Sequence, residues 1–251
     1  MIVDAHAHLG NFYASYPLRI TTTEGVIQLM DRFKIDMACV SSLEAVQFNF
    51  FEGNQSLKQE IEKWPDRFIP LCTVNPRFGE AAILELRKCV QEWKFRGLNL
   101  HPTSGYQPYP ADCLSAQETL SEASKLRIPV LIHSSQHDMA HPSRIGKLAD
   151  TFPDITIIMG NMGYMTAWQD AIEAAKKYEN IILDPTSAMM CISLVKRAVE
   201  VVGPERVVFG TNMPMDYPGP NIVRITWAEI SEEAKRKIMG ENILRILGIK
   251  Y

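Results

Sequence analysis

Met1-Ile2-Val3-Asp4-Ala5-His6-Ala7-His8 opens the chain, and the interpretation of the other residues depends on it. An apolar start leads into two histidines that are separated by a single residue. On a β-strand, side chains two positions apart point to the same face, so His6 and His8 direct their imidazoles at one point. Two neutral imidazoles that converge in this way suit a divalent cation such as zinc. By the same alternation, Asp4 is expected to face the same side as the two histidines and to tether the sheet.

Seven further apolar runs follow the first, and segments with helical periodicity separate them. The eight runs are 2–6, 36–43, 68–74, 97–101, 129–133, 155–159, 181–184 and 206–210. Near-continuous apolar strands are typical of a parallel sheet that is buried on both faces. Eight strand–helix units in 251 residues have the size of an α/β fold, the single (β/α)8 TIM barrel, which we predict over residues 1–251. A doubly wound open sheet is the alternative, weakened because no phosphate-binding glycine pattern follows any strand.

Three polar residues predict where helices begin. Thr23 precedes an apolar periodic segment and is a candidate N-cap, and Ser115-Ala116-Gln117-Glu118 has the pattern of a capping box. Ser231 stands before the last helical segment, which is expected to run into Asn242. These positions separate the helices from the apolar strands.

The composition excludes several classes of function. The chain is 46% hydrophobic and 22% charged with a net charge of −3, and its basic residues form no block, so neither nucleic acid nor an acidic membrane surface is an expected partner. No apolar stretch approaches the roughly 20 residues that a membrane helix needs, and the first residues do not resemble a signal peptide. We expect a small-molecule substrate and, because twofold dimers are the commonest oligomers, a homodimer.

The five cysteines predict the compartment. Their number is odd, no CxxC spacing occurs, and they stand in apolar surroundings, which is typical of reduced, buried cysteines in a cytoplasmic protein. They are Cys39, Cys72, Cys89, Cys113 and Cys191.

Four of the six histidines end predicted strands. His6 and His8 end strand 1, His101 ends strand 4 and His133 ends strand 5. Since active sites of barrel enzymes form at the carboxyl ends of the strands, these histidines are candidates for a metal or catalytic site. The other two, His137 and His141, lie in the loop after strand 5, where exposure or substrate contact is expected in preference to metal ligation.

The chain resembles the amidohydrolase superfamily and, within it, the amidohydrolase-2 group of hydrolases and decarboxylases. The resemblance implies a (β/α)8 barrel with a mononuclear metal site, held by the paired histidines of strand 1, a strand-5 histidine and a strand-8 aspartate. The first three ligands correspond to His6, His8 and His133. The matching segments, in order, are 3–8, 64–70, 73–76, 97–102, 130–133 and 207–214.

Three asparagines depart from the pattern of that group. Asn212 stands where the family has the strand-8 aspartate, Asn161 where it has the histidine of His-Met-Gly, and Asn99 where it often has a lysine. An amide is nearly the size of a carboxylate, but it carries no charge and cannot accept a proton near neutral pH. Asn212 therefore cannot be the general base that activates metal-bound water, and Asn161 cannot become a cation.

Three hypotheses follow from these departures. The chain is a metal-dependent enzyme that has relocated its acid–base group to Asp184 or Asp216, a hydrolase or decarboxylase that binds metal weakly or not at all, or a barrel that has lost catalysis and acts as a binding protein. The leading expectation is a hydrolase of a small ester, lactone or amide that uses metal-activated water, and a decarboxylase of the same superfamily is the alternative. Zinc is the expected cation, and manganese also suits the site.

Roles for individual residues complete the prediction. The candidate catalytic residues are Asn212, Asn161 and Asp184. The candidate substrate contacts are His101, Asn99 and His137, and the metal ligands are His6, His8 and His133.

Overall fold

A curled parallel sheet lies at the centre of the computed structural model, which describes residues 1–11, 20–103, 107–188 and 193–250. Its seven strands are paired in the order in which they occur along the chain, and every neighbouring pair is parallel. The strands are β1 (Val3–Leu9), β2 (Met37–Ser42), β3 (Phe68–Thr73), β4 (Gly97–Leu100), β5 (Val130–His133), β6 (Ile157–Gly160) and β7 (Ile181–Leu183).

An eighth segment, residues 207–213, fills the gap between β7 and β1 without forming a regular strand. On one side the backbone N–H of Val208 donates to the carbonyl of Leu183 at 2.9 Å, and on the other that of Ala5 donates to the carbonyl of Phe209 at 2.8 Å. These bonds close the sheet into a barrel. The predicted (β/α)8 barrel is therefore confirmed, and the open sheet is excluded.

Helices cover the outside of the sheet in the described ranges. They are α1 (Thr23–Arg32), α2 (Leu43–Gln47), α3 (Phe50–Ile61), α4 (Glu80–Gln91), α5 (Leu114–Leu126), α6 (Pro142–Thr151), α7 (Trp168–Lys177), α8 (Leu194–Val202), α9 (Pro218–Thr226), α10 (Glu232–Arg236) and α11 (Asn242–Ile246). A π-helical turn, Lys237–Glu241, joins the last two. Sequence periodicity did not predict α2, α3 or α9, which follow β2 and the eighth segment.

Two of the predicted helix starts need correction and one is confirmed. The N-cap of α1 is Thr22, whose hydroxyl accepts the Gly25 N–H at 3.1 Å, so the sequence prediction is one residue late. The capping box at Ser115 is wrong, because α5 begins after Cys113 and has no side-chain cap. The Ser231 hydroxyl accepts the N–H of Ala234 and caps α10 as predicted.

The barrel interior is apolar near the starts of the strands. Val3 and Ala5 of β1 pack there with one or two residues from each of several other strands, and α11 with the residue after it closes this end through Ile243, Leu244 and Leu247. The other members are Cys39, Ile69, Leu71, Leu131, Ile158, Ile182 and Val208. A second and larger cluster lies between the sheet and the helices and includes Ala7 and Leu9 of β1.

A bulge in β1 explains why the face that points inward changes along this strand. The pairing with β2 shifts register between Asp4 and Ala7, which adds one residue to β1. Ala5 packs in the inner cluster and Ala7 in the outer one, so His6 and His8 share the inner face with Ala5. The expectation that Asp4 alternates onto the face of the two histidines is therefore wrong.

Asp4 nevertheless tethers the barrel, as the sequence indicated. Its carboxylate accepts the backbone N–H groups of His6 at 2.9 Å and Thr211 at 3.0 Å, and it also accepts the Thr211 hydroxyl. Burial raises the pKa of Asp4 to about 7. The carboxyl group thus joins β1 to the eighth segment at the point where the barrel closes.

Burial of the cysteines is confirmed at three of the predicted positions. Cys39, Cys72 and Cys89 are buried free thiols, Cys113 is a half-buried one, and Cys191 lies outside the described residues. None of the helices in the described ranges is both long and apolar enough to cross a membrane.

Candidate metal centre

Three buried imidazoles converge at the carboxyl end of the barrel. His6 and His8 come from β1 and His133 from the end of β5, and each offers one ring nitrogen that lies within 4.8 Å of the other two. The ring centroid of His133 is 4.4 Å from that of His6 and 5.5 Å from that of His8. We call these three residues the histidine cluster. The structure thus brings together all three metal ligands that the sequence predicts.

The donor atoms of the histidine cluster fit a divalent cation. His6 Nε2 and His133 Nε2 are buried, and no described residue is a hydrogen-bond partner of either nitrogen. Leaving buried polar atoms unpaired is costly, and a cation that accepts their lone pairs removes that cost. Burial lowers the pKa values of His8 and His133 well below the usual histidine range, so both rings are in the neutral form that metal ligation requires.

Asp184 holds the ring of His6 through Nδ1, the nitrogen other than the one offered to the cluster. His6 Nδ1 donates to Asp184 Oδ2 at 2.6 Å, and the other carboxylate oxygen accepts the Thr186 backbone N–H at 3.0 Å and the Thr186 hydroxyl. A proton fixed on Nδ1 leaves the lone pair on Nε2, the nitrogen that has no partner. The candidate catalytic residue Asp184 is therefore placed one layer outside the cluster, where it orients a ligand.

Gly210 makes room for this contact. A Cβ at this position would lie 2.3 Å from Thr186 Oγ1, 2.7 Å from Asp184 Oδ1 and 2.8 Å from His6 Cβ. Real Cβ atoms do not approach other atoms so closely. The eighth segment can pass beside the His6–Asp184 pair only because residue 210 has no side chain.

His8 has neutral partners on both ring nitrogens. Nδ1 lies 2.8 Å from Ser41 Oγ, and Nε2 lies 3.1 Å from Asn212 Oδ1. The Asn99 amide donates to Ser41 Oγ and to Thr73 Oγ1, both at 3.2 Å, while its own Oδ1 is buried without a partner. Asn99, a candidate substrate contact, thus supports Ser41 and has one oxygen left to offer a ligand.

The amide nitrogen of Asn212 faces a carboxylate. Nδ2 donates to Ser187 Oγ at 3.3 Å and to Asp216 Oδ2 at 3.4 Å, and the Ser187 hydroxyl also donates to Asp216. Asp216, the other candidate for a relocated acid–base group, therefore lies one hydrogen bond outside Asn212. The structure places Asn212 itself against His8 at the cluster.

The remaining predicted residues divide into two groups. His101 belongs with the cluster, because its ring centroid lies 3.6 Å from that of His133 and its buried Nδ1 has no partner. Burial, together with His6, lowers the pKa of His101 to about 3. Asn161 follows β6 with a buried, unpartnered Oδ1 and a φ of 63°. His137, in contrast, is exposed in the loop after β5.

Sequence reasoning missed Ser41, Thr186 and Gly210. Ser41 stands near the end of a predicted strand, so the rule that selected the histidines would have found it if hydroxyls had been included. Nothing in the sequence around Thr186 or Gly210 indicates that these residues lie beside His6. Their roles depend on the closure of the barrel.

A cavity of about 490 Å³ opens beside Asn212 at the same end of the barrel. Its wall combines two tyrosines and apolar groups with the Ser187–Asp216 pair. The buried guanidinium of Arg224 supports the wall by donating to the backbone carbonyls of Pro185 and Ala188. The volume is in the range of small-molecule pockets. Lining residues include Tyr164, Met165, Ser187, Asp216, Tyr217 and Arg224.

Known proteins resemble this chain over most of its length. Residues 3–249 match the model of a family described as amidohydrolase. A gamma-resorcylate decarboxylase of Rhodococcus jostii (strain RHA1) is 25% identical, over 76% of this chain and 73% of the relative. Both similarities agree with the sequence resemblance to the amidohydrolase-2 group.

Solved structures of decarboxylases share the fold. A 2,6-dihydroxybenzoate decarboxylase complexed with 2,6-dihydroxybenzoate superposes with a TM-score of 0.80 at 19% identity, over 99% of both chains. A dihydroxybenzoic acid decarboxylase from Polaromonas sp. JS666, with bound manganese and 2-nitroresorcinol, gives 0.78 at 17% identity, over 98% of this chain and 96% of that one. At these identities the superpositions show a shared fold.

Proposed function

The chain belongs to the amidohydrolase family, and on that premise we propose that it is a metal-dependent decarboxylase of a small hydroxylated aromatic carboxylate. One observation carries the proposal. The histidine cluster offers buried, unpartnered nitrogens for a cation, while the residue that faces His8 from the eighth segment is an amide, Asn212. This arrangement suits decarboxylation better than hydrolysis.

The two reactions need different groups. Hydrolysis adds water, which must lose a proton to a base as it attacks, and the Asn212 amide cannot take that proton. Decarboxylation adds no water. The bond between the ring carbon and the carboxylate breaks, CO2 leaves, and the electron pair that remains on the ring carbon takes up a proton that reaches it from solvent. The site must therefore draw electrons from the ring and admit this proton, and it needs no base for water.

The residues of the chain would share the work as follows. His6, His8 and His133 hold the cation, which when bound supplies Lewis-acid polarisation of substrate oxygens. Asp184 keeps the His6 lone pair on Nε2 by accepting the Nδ1 proton. The buried, unpartnered Nδ1 of His101 is available to a substrate oxygen beside the cluster.

The cavity beside Asn212 suits an aromatic substrate. Two tyrosines and a methionine in its wall, Tyr164, Tyr217 and Met165, offer flat and polarisable surfaces to a ring. The relatives support this substrate class, because the two decarboxylases compared above act on dihydroxybenzoates by their names. Bound manganese in one of them supports Mn²⁺ as a cation to test beside Zn²⁺.

Turnover on paired substrates tests the proposal. The purified protein, loaded with Mn²⁺ or Zn²⁺, is given 2,6-dihydroxybenzoate and its isomers in one series and phenyl esters and aryl lactones in the other. CO2 release and the decarboxylated phenol are measured by gas detection and chromatography. We expect CO2 release from an ortho-hydroxylated benzoate and none of the hydrolysis products.

A ligand variant and a matched control make the test specific. We expect His133→Asn, which removes a ligand, to lower decarboxylation at least about 100-fold, since ligand loss costs more than the 10–100-fold of an outer residue. The control, Asp150→Asn, changes an exposed residue at the end of α6, away from the strand ends that carry the cluster, and should keep wild-type activity. Ester or lactone hydrolysis without CO2 release would overturn the proposal, as would decarboxylation that survives complete metal removal.

A further inference from the structure

The carboxylates beside the candidate metal centre belong to residues other than its expected ligands. The histidine cluster contains no carboxylate, and the oxygen that faces His8 belongs to the amide of Asn212. The two carboxylates beside the centre are each one hydrogen bond further out, Asp184 on His6 and Asp216 on Asn212. Asp184 has an evident task in fixing the His6 ring, whereas the mechanism above gives Asp216 none.

Asp216 determines which way the Asn212 amide points. Nδ2 has two acceptors, Ser187 Oγ at 3.3 Å and Asp216 Oδ2 at 3.4 Å. The reversed amide would place Oδ1 against the Asp216 carboxylate, where two acceptors repel each other, and Nδ2 against His8. The observed orientation therefore keeps Oδ1, an oxygen with free lone-pair capacity, on the side of the cluster.

The backbone brings the two residues together. The carbonyl of Asn212 accepts the N–H groups of Met215 at 2.9 Å and of Asp216 at 3.2 Å, so the chain turns back on itself directly after Asn212. Asn212 has a φ of 59°, a region that asparagine and aspartate adopt more readily than other side chains. The turn thus tolerates either residue at position 212.

We propose that Asp216 is a positioning residue that acts on the cation through Asn212. Its carboxylate holds the Asn212 oxygen toward His8 and supplies, one hydrogen bond further out, the negative charge that an aspartate at position 212 would place in contact with the cation. The proposal deepens the proposed function, on which it rests for the presence of the cation. It is distinct from catalysis, because its consequence is metal affinity.

A charge-relocation series tests this role. Four proteins are compared: wild type, Asp216→Asn, Asn212→Asp, and the double variant Asn212→Asp with Asp216→Asn. The affinity for Zn²⁺ and for Mn²⁺ is measured by competition with a chromogenic chelator. Asp150→Asn serves as a matched control, because it removes one exposed carboxylate at the end of α6, away from the strand ends that carry the cluster. Melting temperatures of the metal-free proteins show whether each variant folds.

The expected pattern is specific. Asp216→Asn should weaken metal binding about tenfold, the lower end of the range for residues behind metal ligands, while Asp150→Asn leaves the affinity unchanged. Asn212→Asp should tighten binding and lower the melting temperature of the metal-free protein, because it sets two carboxylates side by side. The double variant should bind at least as tightly as wild type, since the charge is again present beside the cation.

Two results would overturn the proposal. One is unchanged metal affinity in a folded Asp216→Asn protein, and the other is a double variant that binds as weakly as Asp216→Asn alone. If wild type binds metal with the expected pattern but releases no CO2, the proposed function fails and the role of Asp216 stands. If wild type decarboxylates and Asp216→Asn binds metal normally, the proposed function stands and the role of Asp216 fails. A wild type that binds neither cation overturns both.

Discussion

His6 and His8 lie two residues apart on one strand, yet the molecule supports them in opposite ways. His6 Nδ1 donates to the buried carboxylate of Asp184 at 2.6 Å. His8 meets a hydroxyl at 2.8 Å and an amide at 3.1 Å, and the carboxylate of Asp216 lies beyond that amide. The carboxylate of Asp184 is thus one hydrogen bond from His6, whereas that of Asp216 is two hydrogen bonds from His8. The His6 side should therefore be the more sensitive to the loss of charge.

Removing the nearer charge should have the largest effect. In Asp184→Asn the new amide can donate to His6 Nδ1, which moves the His6 proton to Nε2 and blocks the nitrogen that faces the cluster. We expect metal affinity to fall by about 100-fold, the upper end for residues behind a ligand. Chelator competition measures it.

Ser41→Ala is the matched change on the His8 side, where it removes a neutral partner of Nδ1. We expect it to lower metal affinity less than tenfold, the lower limit for residues behind a ligand. Equal losses in the two variants would break the comparison, because they would mean that the charge of Asp184 adds nothing to orientation.

Two glycines beside His6 sharpen the comparison through sterics. A Cβ at Gly210 would lie 2.7 Å from Asp184 Oδ1, whereas a Cβ at Gly160 would lie 3.4 Å from His6 Cε1, an ordinary contact. We expect Gly210→Ala to weaken metal binding about tenfold and to lower the free energy of unfolding by about 1–3 kcal/mol, as overpacking does. Gly160→Ala should leave both quantities near wild type in chelator competition and urea unfolding. A larger effect of Gly160→Ala than of Gly210→Ala would show that the His6–Asp184 pair is not tightly enclosed.

Lowering the pH should weaken metal binding by the histidine cluster less than it would weaken binding by three histidines with ordinary pKa values. A ligand with the usual pKa near 6.5 costs about tenfold in affinity for each pH unit below that value, because the ring must lose its proton before it binds. Burial lowers the pKa values of His8 and His133, so neither ring is protonated in that window.

We now expect less than about a tenfold loss of affinity between pH 6.5 and 5.5, because His8 and His133 stay unprotonated there. Isothermal titration with Zn²⁺ at the two pH values measures it. In the same window the unfolded chain takes up protons at His8 and His133 that the folded chain does not. The free energy of unfolding of the metal-free protein should therefore decrease as the pH is lowered from 6.5 to 5.5. A loss of affinity of about 170-fold, which three histidines of pKa near 6.5 would give at about 5.5-fold each over this first pH unit, contradicts the burial argument.

The sequence was sufficient for the barrel and for the three histidines that converge at its end. Apolar runs at regular intervals predict the strands, and the rule that barrel sites form at strand ends selects His6, His8 and His133. Each of these inferences depends on residues that are close in the sequence. The strand alternation failed only at Asp4, because a one-residue bulge leaves no mark in an apolar run.

The surroundings of the ligands could not be predicted. Asp184 is 178 residues from His6, and the two meet only because the eighth segment closes the sheet. Position 212 indicated a lost charge, and only the fold shows that Asp216 lies behind its amide. Contacts of this kind depend on chain closure and on a turn, neither of which follows from local patterns.

A crystal structure of the protein with Mn²⁺, with anomalous scattering recorded at the manganese edge, tests the central claim most directly. We expect one peak at about 2.0–2.3 Å from a ring nitrogen of each of His6, His8 and His133, in the range of metal–imidazole bonds. The carboxylates of Asp184 and Asp216 should remain one hydrogen bond away from the ion. A peak in direct contact with either carboxylate, or a peak away from the three histidines, would contradict the account.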